Sequence, residues 1–90
     1  MNFDWDDNKN KSNIEKHRIS FEKAKDVFYD EGKIVYESEQ ESGELRFIIL
    51  GEIIDILYSV IYTIRNTTIR IISARRANEK ERNIYYNRKQ

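Results

Sequence analysis

The sequence predicts an α+β fold in which two short helices come first, four antiparallel strands form a sheet, and one helix ends the chain. Three observations predict it. Apolar residues recur at helical spacing between Phe21 and Phe28. After Gly32 the apolar pattern has period two or forms continuous β-branched runs, which is typical of strands. Near the carboxyl end, Asn78 and Glu81 have the spacing of a helix capping box.

Two helices are expected in the amino-terminal third. The first covers Asn8 to Lys16, a polar segment with Asp6 or Asp7 as its N-cap. Ser20 can cap the second helix, Phe21 to Tyr29. The apolar stripe of this second helix, which would pack on a sheet, consists of Phe21, Ala24, Val27 and Phe28.

Four strands and a final helix are expected after Gly32. In chain order the strands are Lys33 to Glu39, Glu44 to Leu50, Ile53 to Thr63 and Thr68 to Ser73. The third strand is the most apolar and is therefore placed centrally. Turns are assigned to Gln40 to Gly43 and to Arg65 to Thr67. The final helix runs from Glu79 to about Arg88, with Asn78 as its N-cap.

Composition excludes several classes of protein and site. The chain contains no cysteine, so a disulfide framework and a zinc site built on thiolates are both excluded. Its start is acidic and polar, unlike a signal peptide. The apolar run Ile53 to Ile64 is interrupted by Asp55 and Ser59 and is too short to span a bilayer. These features predict one soluble cytoplasmic domain, residues 1–90, too small for a deep cofactor cavity.

The net charge of zero conceals an uneven distribution. Residues 1–62 contain 8 lysines and arginines against 14 aspartates and glutamates, whereas residues 63–90 contain 8 against 2. A basic last third favours an anionic partner. Pairing of this basic part with the acidic front of the same protein explains the charges equally well, so charge alone does not decide between the two.

Short motifs stand in a distinctive order along nearly the whole chain. The front contains Trp5-Asp6, Lys9, Asn13, Lys16-His17, Ser20-Phe21-Glu22, Ala24, Val27-Phe28 and Asp30. The back contains Arg46-Phe47, Gly51, the run Ile69 to Ala77, Glu81-Arg82 and Tyr85. In these residues and their order the sequence resembles the BrnT toxins, which pair with BrnA antitoxins. One residue departs from the family pattern, because Arg18 stands where the family usually has glycine after the histidine. A left-handed backbone would cost an arginine about 1 kcal/mol, so this loop is expected to differ.

The resemblance implies a RelE-like fold and toxicity through endoribonuclease cleavage of RNA, which inhibits translation. It implies no metal and no cofactor. It also implies a BrnA-like ribbon-helix-helix antitoxin that covers the toxin. Promoter DNA would be bound only through the toxin–antitoxin complex, and no membrane is involved.

A histidine carries the proposed chemistry. Metal-free RNA cleavage needs few groups, because the ribose 2′-OH is itself the nucleophile. The protein must remove its proton, protonate the leaving 5′ oxygen and stabilise the charge on the phosphate. His17 is the single histidine, and we expect it to act as general acid or base at the end of the first helix. The alternative is a surface histidine favoured by the dipole of the helix C-terminus.

Arginines supply the planar donor fork that matches phosphate oxygens. Strand alternation places Arg70 away from its isoleucine neighbours, on the same side as Arg46 if the strands pair in register. We expect Arg70 and Arg75 to contact the scissile phosphate. Flanking phosphates are assigned to Arg46, Arg76 and Arg82. The alternative for each arginine is a solvated strand residue or an ion pair with Glu79 or Glu81.

Lys9 and Lys16 are also assigned to RNA, although lysines on a polar helix are more often only solvated. Trp5 can stack on a base, but a tryptophan at this position is more often a core anchor. Tyr85 and Tyr86 are assigned to antitoxin binding, one packing the final helix and the other staying partly exposed. Simple docking of the helix explains both tyrosines as well.

Two other functions remain open. The chain can be a catalytically weak partner-binding module that acts as co-repressor with a DNA-binding antitoxin, since the basic last third serves either role. A plain DNA-binding protein ranks last, because no expected helix carries base-reading side chains on one face. Turnover of RNA by the isolated chain distinguishes the first two.

Overall fold

The computed structural model describes residues 1–38 and 43–88, and within them it shows a five-stranded sheet with helices on one face and at one end of the other. The helices are α1 (Asp7–His17), α2 (Phe21–Ala24) and α3 (Glu79–Tyr86), with a 3-10 helix (Lys25–Tyr29) directly after α2. The strands are β1 (Asn2–Asp4), β2 (Ile34–Ser38), β3 (Arg46–Ile53), β4 (Ile56–Arg65) and β5 (Thr68–Arg76). The predicted α+β class is confirmed. None of the helices described is long and apolar enough to cross a membrane.

The predicted sheet of four strands was one strand short. Strands β2 to β5 are antiparallel neighbours as expected, but β1 adds a fifth strand, and the order across the sheet is β1-β5-β4-β3-β2. β1 runs parallel to β5, with Asp4 opposite Arg70. Three residues with Phe3 as the one apolar side chain show no periodicity, so no sequence pattern indicated β1.

The turn between β3 and β4 lies at Ile54 and Asp55, whereas the predicted break between these strands was near Gly51. Both turn residues have positive φ, 47° and 68°, as a two-residue type I′ hairpin requires. Such turns usually contain asparagine or glycine, so an Ile-Asp pair was not recognised. Gly51 lies inside β3, where an added Cβ would come within 2.8 Å of the Cβ and carbonyl oxygen of Val27. The glycine therefore permits close packing and does not mark a turn.

The predicted second helix is α-helical only as far as Ala24. Ser20 caps it as expected, accepting a hydrogen bond from the Lys23 N–H at 3.1 Å. The chain then winds more tightly as the 3-10 helix. Residues three apart share a side in both kinds of helix, so the apolar stripe predicted the buried face but could not distinguish the winding. The predicted turn at Gln40 to Gly43 lies, except for Gly43, outside the described residues.

The two faces of the sheet are covered differently. α2 and the 3-10 helix pack on one face over the main core, where Phe21, Ile49 and Val60 are fully buried. On the other face α3 covers only one end, over Leu50 and Leu57. We call the uncovered part of this second face the open face; its residues are Tyr36, Arg46, Ile48, Ile61, Arg70, Ser73 and Arg75.

Candidate functional site

Residues opposite one another on neighbouring strands form rows across the open face. Thr63 pairs with Arg70, and the register between β3 and β4 places Arg46 beside Thr63 one residue beyond the last pair. Arg46 and Arg70 therefore share a row, as strand alternation predicted. Arg75 belongs to a second row, in which it lies opposite Ser59. The open face therefore has two rows that contain arginines, one with Arg46 and Arg70 and the other with Arg75; we call them the arginine rows.

A β-bulge brings Arg70 and Arg75 to the same face. These residues are five apart, so strict alternation along β5 would place them on opposite faces. The register shifts between Ile61 and Tyr62 of β4, where Ile72 of β5 is left without an opposite residue. The extra residue shifts the alternation of side chains along β5 by one position, so both arginine side chains point to the open face. The predicted strand ended at Ser73, and no bulge was expected within it.

Arg75 is held by the carboxylate of Glu81 at the start of α3. Its Nη1 and Nη2 donate to Oε1 and Oε2 of Glu81 at 2.8 and 2.9 Å. The same carboxylate accepts the Asn78 N–H at 2.8 Å, and the Asn78 side chain accepts the Glu81 N–H, which completes the expected capping box. Burial raises the pKa of Glu81, but the bonds from Arg75 and Asn78 outweigh it and lower the pKa below its usual value. The hydrogen bond to Glu81 also raises the pKa of Arg75.

The other two arginines have more exposed carboxylate neighbours. Arg70 Nη1 lies 3.3 Å from Asp4 Oδ1, a contact created by the parallel pairing of β1 with β5. Arg46 Nε lies 3.5 Å from Glu44 Oε1, and within residues 1–38 and 43–88 this buried Nε makes no hydrogen bond. Arg65 shares the same carboxylate at 3.1 Å. The alternative ion pair considered for each arginine is therefore present for Arg75, with Glu81.

α1 lies beside β5, along the part of the strand beyond its pairing with β1, and brings its basic residues to the border of the open face. Asn13 fixes it there, since its Oδ1 accepts the Ala74 N–H at 3.1 Å and its Nδ2 donates to the Ile19 carbonyl at 3.0 Å. A shallow groove of about 180 Å³ runs between helix and strand. It is lined by Lys9, Ser12, Asn13, Lys16, His17, Ile72 and Ser73. Ser73 is the open-face residue of β5 between Arg70 and Arg75, so the groove joins His17 and both lysines to the arginine rows.

The residue after α1 adopts the left-handed backbone conformation although it is not glycine. Asp6 caps the helix, accepting the Asn8 and Lys9 N–H groups, and His17 is its last, exposed residue. Arg18 follows with φ 60° and ψ 29°, the backbone that glycine favours. The expectation that Arg18 would change this loop was therefore wrong for the backbone, and Arg18 bears a cost of about 1 kcal/mol.

Arg76 and Arg82 lie apart from the arginine rows. They line a second groove, of about 240 Å³, near the turn between β3 and β4. Its other residues are Asp55, Ile56, Leu57, Ala77 and Tyr86. Arg76 is opposite Tyr58, whose side chain belongs to the helix-covered core, and Arg82 donates to the Ala77 carbonyl at 2.9 Å. The structure does not bring these two arginines to the open face.

The two tyrosines of α3 have different environments. Tyr85 is buried, and its hydroxyl donates to Asp30 Oδ2 at 2.5 Å. Tyr86 is 52% exposed and its hydroxyl donates to Glu52, a bond that raises its pKa to about 12. Tyr85 therefore packs the helix, while Tyr86 presents a ring to solvent. Trp5 packs edge-on against Phe21 with ring centroids 6.2 Å apart, as a core anchor.

Tyr36 is an open-face residue that was not among the predicted site residues. It lies on β2 opposite Ile48, and alternation along β2 was the available signal for its orientation. Burial and the Glu81 carboxylate raise its pKa, while Arg75 partly opposes them. Among the residues that the structure describes, no group of three or more histidine or acidic side chains is arranged to hold a metal ion.

Comparisons with known proteins agree with this architecture. The model of the family described as "Ribonuclease toxin, BrnT, of type II toxin-antitoxin system" matches residues 5–81. Among solved structures, the 1.1 Å crystal structure of the Brucella abortus ribonuclease toxin, BrnT, matches with a TM-score of 0.71 at 24% sequence identity. The match covers 88% of this chain and 99% of that chain, and shows a shared fold. No curated protein matches the chain in sequence.

Proposed function

The chain belongs to the BrnT family of ribonuclease toxins of type II toxin–antitoxin systems, and on this basis we propose that it is a metal-independent endoribonuclease acting at the open face. One observation carries the proposal. The bulged strand β5 directs Arg70 and Arg75 to one face, and the groove beside it holds His17 with Lys9 and Lys16. Basic side chains beside an ionisable imidazole match the needs of RNA cleavage.

The reaction begins with the ribose 2′-OH, whose oxygen attacks the adjacent phosphorus. A base takes up the hydroxyl proton, the bond from phosphorus to the 5′ oxygen breaks, and an acid protonates that leaving oxygen. The products are a 2′,3′-cyclic phosphate and a free 5′-OH. His17 acts as the base or the acid. When it is the base, water donates the proton to the leaving 5′ oxygen; when it is the acid, water or a non-bridging phosphate oxygen accepts the proton of the 2′-OH.

Arg70 and Arg75 stabilise the negative charge that builds up on the phosphate oxygens. Arg75 is already oriented by Glu81, so its guanidinium needs little reorganisation when RNA binds. Arg70 is paired with the exposed Asp4, which a phosphate can replace. Arg46 adds a positive charge in the same row as Arg70, and Lys9 and Lys16 contact flanking phosphates.

Incubation of the purified chain with bulk RNA in EDTA tests the proposal, beside His17→Ala. We expect the wild type to leave 2′,3′-cyclic phosphate ends and His17→Ala to be slower by about 100-fold or more, the size of one acid–base group. Lys11→Ala, an exposed charge on the same helix outside the groove, is the matched control and should retain wild-type rates. Cleavage that EDTA abolishes, or that His17→Ala leaves unchanged, contradicts the mechanism.

The antitoxin belongs to the same proposal. We take it to be a BrnA-like ribbon-helix-helix protein that covers the toxin and binds promoter DNA as a complex. The exposed ring of Tyr86 beside Arg76 and Arg82 is a suitable contact for it. Tyr85 can join that contact only if α3 moves, because its ring is buried.

A co-repressor without strong catalysis is the second candidate. The observation that favours it is that Arg46, Arg70 and Arg75 each have a carboxylate nearby, which competes with phosphate. Absence of RNA cleavage by the purified chain, together with tight binding to its antitoxin, would support this function over the first.

A further inference from the structure

The middle of the open face carries an aromatic residue that the proposed reaction does not use. The row across the sheet at this level consists of Tyr36, Ile48, Ile61 and Ser73. It lies between the row of Arg46 and Arg70 and the row of Arg75. Neighbouring rows are two residues apart along a strand, roughly 7 Å. An apolar strip with an aromatic ring at one end is therefore flanked by cationic side chains on both sides.

Tyr36 differs from the other tyrosines of the chain in having an accessible ring on this face. Its exposure is 37%, whereas Tyr58 and Tyr62 are buried in the core. Over the described ranges 1–38 and 43–88, the Tyr36 hydroxyl makes no hydrogen bond, while Tyr85 and Tyr86 are both bonded to carboxylates. The position of Tyr36 on the sheet is set by its strand and not by a bond of its hydroxyl.

We propose that Tyr36 forms a nucleobase-binding subsite, in which one base of the RNA stacks on its ring while the arginine rows hold the phosphates on either side. Ile48 and Ile61 continue the apolar floor beneath the sugar and base. Proteins that bind single-stranded RNA combine a basic groove with aromatic side chains in this way. The inference rests on the proposed function, because it assigns a substrate contact to the same site.

A purely structural role for Tyr36 predicts a different pattern. If the ring only shields Ile48, its loss lowers stability and affects all substrates alike. If it stacks on a base, its loss weakens binding of RNA that has a base at one position and leaves unchanged the binding of RNA that lacks it. Phenylalanine keeps the stacking ring without the hydroxyl, so it separates stacking from hydroxyl chemistry.

The test measures fluorescence anisotropy of a fluorescein-labelled 2′-O-methyl oligoribonucleotide, whose blocked nucleophile prevents cleavage. Full-length wild type, Tyr36→Ala, Tyr36→Phe and Tyr29→Ala are compared; Tyr29 is 62% exposed on the 3-10 helix and serves as control. A second series of oligonucleotides lacks the base at each position in turn. Tyr36→Leu, which keeps an apolar side chain, replaces Tyr36→Ala if that variant does not fold.

We expect Tyr36→Ala to weaken binding about tenfold, as loss of one stacked base typically does, with Tyr36→Phe and Tyr29→Ala within twofold of wild type. At one position the abasic oligonucleotide should bind wild type about tenfold more weakly and show no further loss of affinity with Tyr36→Ala.

Three results would each overturn the subsite: wild-type affinity in Tyr36→Ala, a loss of affinity in Tyr36→Phe as large as that in Tyr36→Ala, or losses that do not depend on which base is missing. RNA cleavage with unaltered binding by Tyr36→Ala would reject the subsite alone, whereas a wild type that neither binds nor cleaves RNA would reject the proposed function with it.

Discussion

The two ends of the open face pair an arginine with a carboxylate in different ways. Arg75 makes two hydrogen bonds to Glu81, whose side chain is 9% exposed and also caps α3. Arg70 makes one contact of 3.3 Å with Asp4, whose side chain is 52% exposed. A doubly bonded pair whose carboxylate is buried contributes to stability and fixes the direction of the guanidinium, whereas a pair whose carboxylate is exposed contributes little and exchanges readily. The arginine–carboxylate pair at Arg75 therefore stabilises the fold, whereas under the proposed function the pair at Arg70 can give way to a phosphate of the substrate.

The largest expected difference between the two ends is in stability. Glu81→Ala removes the capping box and the partner of Arg75, and should lower the free energy of unfolding by about 2 kcal/mol or more. Asp4→Ala should change it by about 0.5 kcal/mol or less. Urea unfolding followed by circular dichroism measures both. Glu79→Ala, an exposed acid in the same turn, is the control, and equal effects of Glu79→Ala and Glu81→Ala would break the comparison.

The pH dependence of stability sharpens the same contrast. Because the folded pKa of Glu81 lies below its usual value of 4.5, its pairing stabilises the fold above that pH and is lost as the pH falls toward the lowered value. The difference in unfolding free energy between wild type and Glu81→Gln should therefore shrink below pH 4.5. Urea unfolding of both proteins from pH 7 to pH 3 measures it. A difference that does not change over this range would show that Glu81 acts only through its shape.

The smallest expected effect is at the exposed end. Asp4→Asn removes the charge that competes with phosphate for Arg70, and should tighten binding of an uncleavable oligonucleotide roughly threefold. Anisotropy titration at low salt measures it. Asp26→Asn, an exposed acid in the 3-10 helix, controls for the change in net charge. If both variants bind the oligonucleotide more tightly by the same factor, Asp4 does not compete with phosphate for Arg70 beyond its effect on the net charge.

Much of the fold was predictable from local patterns. The capping box at Asn78, the cap at Ser20 and the buried stripe of the second helix depend on neighbouring residues, and all are present. The features that were missed depend on tertiary contacts. β1 exists because β5 offers it a parallel edge, and the Ile54-Asp55 turn exists because the strands on both sides of it pair.

The candidate site shows the same division. Alternation correctly placed Arg46 and Arg70 together, because it needs only the register of regular strands. Arg70 and Arg75 share a face because of the bulge at Ile72, and no residue type at this position indicates a bulge. Arg76 lies apart from the arginine rows because β5 continues past Ser73, where the predicted strand ended. Proximity of His17 to β5 follows from a tertiary hydrogen bond of Asn13, so sequence alone could not supply it.

We propose that RNA is cut at the open face, beside Arg70 and Arg75. The most direct measurement compares RNA cleavage rates of Arg70→Gln/Arg75→Gln and Arg76→Gln/Arg82→Gln with that of the wild type, since glutamine keeps an N–H donor for Glu81. We expect the cleavage rate to fall about 100-fold or more in the first variant, because the charge of the transition state loses its hydrogen-bond donors, and to change less than about threefold in the second. Equal losses in the two, or full activity in the first, would contradict it.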